Sequence, residues 1–221
     1  VLYDDYYRNC GFQSVPRLPV HPWQIAALHW DTEEKRRAAL SGYFAAVTAM
    51  DANIGRLLDA LERRGLRERT LVIFMSDNGM NMGHHGVVGK GNGTFPLNMY
   101  DTSVKVPMLI SQPGSVPQGR IERGLWSQYD IFPTLLEIAG VPNPYADSRP
   151  GRSFAPLLSG KPVRQPWEFV VVAAEYGPVR MWRSRDWKYV HRYPFGPNEL
   201  YNLREDPDEE HNRIGEKGSE R

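Results

Sequence analysis

Apolar residues recur at three- and four-residue steps within the segment from Asp31 to Arg64. Val47, Met50, Ile54, Leu57, Leu58 and Leu61 fall on one stripe, the spacing of an amphipathic helix that packs by that face. Asp31 or Thr32 can cap its start, Glu33 and Glu34 suit its positive end, and Gly65 stops it. The period then changes. Thr70-Leu-Val-Ile-Phe-Met75 is a continuous apolar run with β-branched members, which predicts a strand buried on both faces. Val106-Pro-Met-Leu-Ile110 predicts a second buried strand, its Pro suited to a strand start or an edge. Helix followed by buried strand predicts an α/β fold, here part of a mostly parallel sheet with flanking helices. Asp130 to Ala139 predicts a short helix ended by Gly140 and Pro142.

The remaining stretches are less periodic. Residues 1–30 are rich in Tyr, Pro and Trp and form an irregular lead-in expected to pack on something else. Residues 76–105 are loop-like, and 141–166 form a linker rich in Gly and Pro. From residue 167 the texture changes. Phe169–Ala173, Val179–Arg183 and Trp187–His191 are short strand candidates with tight connections, which predicts a small antiparallel subdomain over 167–221. Asp206-Pro-Asp-Glu-Glu-His starts a polar helix or tail. The expected division is therefore 1–30, 31–166 and 167–221.

Composition changes this picture little. The 27 basic and 26 acidic residues leave a formal net charge of +1, so no basic surplus points to nucleic acid. No stretch reaches the roughly 20 apolar residues that cross a bilayer. The opening VLYDDYYRNCG has neither the basic start nor the apolar run of a signal peptide, and it begins on Val. The single Cys10 excludes an internal disulfide framework. The compartment stays open.

The chemistry lies in the loop after the first apolar strand. Ser76-Asp77-Asn78-Gly79 stands where α/β sheets bind ligands, beyond the carboxyl end of a strand. Asp77 and Asn78 offer adjacent oxygens to a hard divalent cation, or close an Asx turn. Gly83-His84-His85-Gly86 follows, and its imidazoles could be ligands, acid and base groups, or exposed loop residues. Lys90, between Gly89 and Gly91, can approach an anion closely, although the surrounding residues do not make a P-loop.

Taken in order, these segments resemble the sulfatase family of the alkaline phosphatase superfamily. Tyr43 to Asp51 with Ile54 to Leu58 resembles the family's helix before its metal strand, and Thr70 to Gly79 that strand and loop. Gly83–Gly86 and Lys90 are similar to its active-site loop. Val106–Ile110, Asp130–Leu136 with Gly140, and Glu199–Pro207 with Asn212 are similar to its later elements. The resemblance implies that Asp77 and Asn78 bind a divalent cation, calcium first, with magnesium or manganese as alternatives. It implies that Lys90 contacts the sulfate ester, that His85 lines the pocket as a catalytic group, and that His84 is a neighbouring substrate contact. A cation and a Lys would neutralise an anionic ester and stabilise charge growing in the transition state.

The family's nucleophile, a formylglycine made from Cys or Ser in Cys/Ser-x-Pro-x-Arg, is not encoded. Cys10 is followed by Gly-Phe-Gln-Ser, and Ser14-Val-Pro-Arg17 places its Arg one residue early. Asp4-Asp5 imitates the family's early paired Asp ligands without a preceding apolar strand and is expected at the surface. The expectation is a sulfatase fragment or truncated product that lacks the formylglycine half and is inactive alone. A phosphonate or phosphate monoesterase of the same superfamily and a non-catalytic module for a cation or sulfated glycan are the alternatives. Trp182, Trp187 and Tyr189 are expected to pack between the small sheet and a helix, and Glu175 and His191 are weaker candidates for the cleft.

Overall fold

A computed structural model describes residues 3–25, 30–163, 167–174 and 177–216. The chain divides into two compact units, Val1–Leu109 and Ile110–Arg221.

The first unit opens with α1, Asp4–Tyr7, and continues through the lead-in to α2, Glu33–Arg63. Thr32 caps α2 by accepting from the Lys35 amide at 3.2 Å, while Asp31 instead pairs with the Lys35 ammonium. The lead-in is not a detached leader. Phe12 and Val15 pack with Leu40 and Met82 in one buried cluster, with Tyr7, Cys10, Trp30, Phe44 and Met80 against it. The Phe12 and Phe44 rings stack with centroids 5.5 Å apart. Asp5 is exposed and paired with Arg8, while the side chain of Asp4 lies outside the described residues.

This packing corrects the expected face of α2. The helix buries Arg36, Leu40, Ser41 and Ala45, all in its N-terminal half. In the anticipated stripe, Val47 is 40% exposed, Met50 46% and Leu57 67%, while Ile54, Leu58 and Leu61 are half-buried. Position along the helix decides the outcome, because the lead-in packs on its N-terminal half, as far as Thr48.

β1, Val72–Met75, follows at the predicted place. Next come β2, Asn81–Met82, and β3, Val88–Gly89, paired antiparallel with Asn81 opposite Gly89. α3, Asp101–Val104, leads into β4, Met108–Ser111. β1 and β4 pair as a two-stranded sheet. Neither is buried on both faces as expected. β1 is half-buried throughout and Leu109 is 64% exposed, because among the described residues the pair has no further strand beside it.

The second unit carries α4, Ile131–Ile138, and α5, Ala155–Leu158, the latter inside the expected linker. Four strands follow: β5, Phe169–Ala173; β6, Val179–Ser184; β7, Trp187–Arg192; and β8, Glu199–Asn202. They form the predicted antiparallel sheet in chain order, all neighbours antiparallel. One face buries Val179, Met181, Lys188, Val190, Arg192, Glu199 and Tyr201. Trp182 and Trp187 alternate to the other face and stay 38% and 39% exposed. Period-two alternation makes this split unavoidable.

Charge is part of this core. Lys188 is fully buried and pairs with Glu209, itself 3% exposed, and Arg192 pairs with Glu199 at 3.1 Å. The expected polar tail is therefore a folded turn. The Asp206 carboxylate accepts from the Glu210 and His211 amides, and Glu209 turns inward at φ 56°. Asn212 accepts from the Leu200 amide at 3.0 Å and donates to the Asn198 carbonyl at 3.2 Å.

Asp130 is the second unit's polar hub. It is fully buried, and its oxygens accept from the Ser127 amide, the Arg152 amide and the Trp167 indole, each at 2.8 Å. A Cβ on Gly151 would lie 2.1 Å from the Tyr129 carbonyl oxygen, so only glycine lets this loop approach.

Candidate functional site

Asp77, Asn78, His84, His85 and Lys90 all lie in the first unit. Their positions follow from how each loop is tied to the segment running from Asn98 to Ser103.

Asp77 and Asn78 leave the end of β1. Ser76 stabilises the turn by donating to the Asn78 carbonyl at 2.7 Å. The Gly79 amide then donates to the Ser103 carbonyl at 2.9 Å. A Cβ at Gly79 would sit 2.1 Å from the Thr102 carbonyl oxygen, so glycine is needed for contact rather than for a positive φ. Asp77 is exposed. Asn78 is half-buried, and its Oδ1 is buried with no hydrogen-bond partner. A buried amide oxygen without a donor is costly unless something cationic or protic satisfies it.

β2 and β3 carry the next loop between them. His84 to Gly86 form a single tight turn, and His85 adopts the left-handed conformation at φ 56° and ψ 16°. Gly86 fits because its backbone meets the lead-in, where a Cβ would lie 1.9 Å from the Pro19 carbonyl oxygen. The His21 amide donates to the Gly86 carbonyl at 3.0 Å. His85 lies flat on Tyr100, with ring centroids 3.7 Å apart and planes 5° apart. The Tyr100 hydroxyl is 3.3 Å from His21 Nε2, while His21 Nδ1 accepts from the Trp23 amide at 3.1 Å. That acceptor role leaves Nε2 to carry the proton of neutral His21. His84 is half-buried, with a buried Nδ1 that has no hydrogen-bond partner.

Lys90 follows β3 with an extended backbone and an exposed side chain. Its carbonyl accepts from the Gly93 amide at 2.9 Å and from the Asn98 side chain at 3.3 Å. The 98–103 segment thus touches all three loops: Ser103 holds Gly79, Tyr100 holds His85 and Asn98 holds Lys90. His21, Asn98, Tyr100 and Ser103 were not among the sequence candidates. The available signal was the polar run Asn98 to Ser103 just before an apolar strand, which reads as ordinary loop without coordinates.

Asp77 and Asn78 fit a hard cation by donor type, a carboxylate and an orphaned amide oxygen. They make a partial shell, since no group of three His, Cys, Asp or Glu able to hold a metal occurs among the described residues. A separate cleft of about 390 Å³ is lined by Arg8, Glu34, Arg37, Ala38 and Ser41 and includes none of the predicted residues. Cys10 packs against the core cluster. Glu175 lies outside the described residues. His191 sits on β7, its Nδ1 3.3 Å from the Tyr189 hydroxyl.

Comparison with known proteins settles the lineage of these loops. The sulfatase family model matches residues 20–141, and the model of the C-terminal part of N-sulphoglucosamine sulphohydrolase matches residues 93–221. The chain belongs to the sulfatase family. It is 32% identical over 181 residues to a choline-sulfatase of Rhizobium meliloti (strain 1021), covering 80% of this chain and 33% of that protein. It is 29% identical, with a TM-score of 0.69, to a solved structure in complex with its substrate D-glucosamine-2-N,6-O-disulfate, covering 82% of this chain and 37% of that one. It is also similar to the phosphonate monoester hydrolase of Agrobacterium radiobacter, at 27% identity and a TM-score of 0.71, covering 84% of this chain and 39% of that one. The chain spans about a third of the length of the curated sulfatase it matches. No helix among the described residues is long and apolar enough to cross a membrane.

Proposed function

We propose that this chain forms the cation and leaving-group side of a sulfate-ester hydrolase. The observation that carries the reading is the orphaned, buried Oδ1 of Asn78 beside the exposed Asp77, at the carboxyl end of a strand. Asp77 and Asn78 hold a divalent cation, calcium first, which when bound draws negative charge off the ester oxygens. Lys90, unburied and flanked by glycines, reaches the anionic ester. His85 stands ready to exchange a proton with the leaving oxygen, and His84 makes a neighbouring substrate contact. The substrate class is an aryl or carbohydrate sulfate. The likeness to sulfatases, including a structure holding a disulfated glucosamine, supports this choice over the phosphonate hydrolase reading, which rests on likeness to a solved phosphonate monoester hydrolase.

The nucleophile, a formylglycine, comes from polypeptide outside these 221 residues, and the same polypeptide extends the β1 and β4 pair into a mostly parallel sheet. The half-exposed stripe of α2 and the exposed Leu109 are apolar surface suited to that contact.

Titration with calcium chloride tests the cation site. A saturable shift of the Asn78 side-chain amide resonance, abolished in Asp77→Ala, is expected, and an unmoved resonance would sink the reading. Aryl-sulfate hydrolysis by this chain alone should stay at background. Joined to the nucleophile-bearing half, it should hydrolyse sulfate esters faster than phosphate or phosphonate esters. The opposite preference would favour the phosphonate hydrolase reading.

A further inference from the structure

Asn81, Thr94, Asn98 and Ser103 are polar yet buried, with relative exposures from 0% to 3%. They form one hydrogen-bonded network. The Asn98 amide nitrogen lies 3.3 Å from the Lys90 carbonyl oxygen, 3.1 Å from that of Gly91 and 3.2 Å from Thr94 Oγ1. Asn98 Oδ1 accepts from the Ser103 hydroxyl at 2.6 Å. That hydroxyl accepts from Asn81 Nδ2 at 2.6 Å, and Asn81 Nδ2 also donates to the Gly89 carbonyl at 3.1 Å. Ser103 is therefore a junction. Its side chain leads to the backbone on both sides of Lys90, and its carbonyl receives the Gly79 amide.

We propose that Ser103 and Asn98 are positioning residues that fix the Lys90 loop relative to the Asp77–Asn78 loop before any ligand arrives. The inference rests on the reading of those loops as one sulfate site. A lysine side chain is long and flexible, so the place its ammonium can reach depends on a fixed backbone. Lys90 has glycine on both sides, and Gly89 adopts φ 125°, so the local chain supplies little rigidity of its own. The buried network supplies it instead. Hydrogen bonds are directional, and breaking one here strands a partner away from water. An apolar contact of equal size would tolerate sliding.

Hydrogen exchange on the full chain, without added cation, tests the coupling. The amides to follow are Gly79, which donates to Ser103, Gly93, which donates to Lys90, and Asn98, which donates to Gly91. Ser103→Ala should accelerate all three by about tenfold, the scale of one lost buried hydrogen bond. The amides of Leu40 and Val190, elsewhere in the core, should keep their protection. Ser103→Thr, which retains the hydroxyl, should restore wild-type exchange. An unchanged Gly79, or no rescue by Thr, overturns the proposal. If Ser103→Ala also exposes Leu40, Asn98→Asp decides. It keeps the acceptor for Ser103 and removes the donors to Lys90 and Gly91. Acceleration at Gly93 and Asn98 with Gly79 protected supports the relay, and uniform acceleration overturns it. Linked exchange in a chain whose Asn78 resonance ignores calcium chloride would keep the relay and discard the cation reading.

Discussion

His85 and Tyr100 lie face to face, 3.7 Å between centroids and 5° from parallel. The stack holds the imidazole of a residue whose own backbone is in the sparsely populated left-handed region. Tyr100 is 7% exposed, so Tyr100→Ala should cost about 3–5 kcal/mol, the range for large aromatic truncations. Urea unfolding measures this. Tyr100→Phe keeps the stack and loses the hydroxyl contact with His21, so it should cost about 1 kcal/mol. In Tyr100→Ala, and not in Tyr100→Phe, the His85 ring protons should lose their upfield ring-current shift.

Gly79→Ala places a methyl where the Thr102 carbonyl oxygen would be 2.1 Å away. The two strands of backbone must separate, and the Gly79–Ser103 bond goes with them. A loss of about 1–3 kcal/mol is expected from such overpacking. Calcium-dependent shifts at Asn78 should weaken in parallel. Full retention of both stability and calcium response would contradict the tight contact.

Asp130→Ala removes a fully buried carboxylate that accepts from three donors, the amides of Ser127 and Arg152 and the Trp167 indole. The expected cost is about 1–3 kcal/mol, the scale of hydrogen bonds to a charged group lost at partly exposed donors. Asp130→Asn should recover part of it, because an amide accepts with only one of its two terminal atoms. The urea midpoint of both variants is the measurement.

Burial pushes the Glu199 carboxyl above its ordinary 4.5, and the nearby Arg192 and Lys188 offset this only in part. The sign follows from linkage. Above pH 4.5 the folded carboxyl keeps its proton longer than the unfolded one, so stability falls as pH rises from 4.5 through the folded value. Subtracting the same curve for Glu199→Gln isolates this slope. A difference curve that rises over that window would contradict the assignment.

Much of this fold was legible because it is local. Thr32, Glu33 and Glu34 announce the start of α2, and the short strand candidates Val179–Arg183 and Trp187–His191 with their tight connection announce the antiparallel sheet. What failed is what depends on distant partners. The stripe from Val47 to Leu61 reads as a packed face, yet which part of a helix is covered depends on what lies beside it. Glu209 reads as part of a polar helix or tail, and its pairing with Lys188 across 21 residues makes burial possible. Asp77, Asn78, His85 and Lys90 are candidates that order along the chain singles out. Asn98, Tyr100 and Ser103 are not, since their importance is to join loops that sequence lists separately.

Asn212 gives the small sheet a property beyond internal stability. β8 is its last strand, and the outward amide and carbonyl of Leu200 are taken by Asn212 and Arg213 of the following turn. An unpaired edge is a template on which a neighbouring molecule can add a strand. By occupying that position with its own chain, the protein withholds the template. The Asp206 turn that delivers Asn212 thereby guards against self-association, and concentrated solutions of Asn212→Ala are where that protection would be missed.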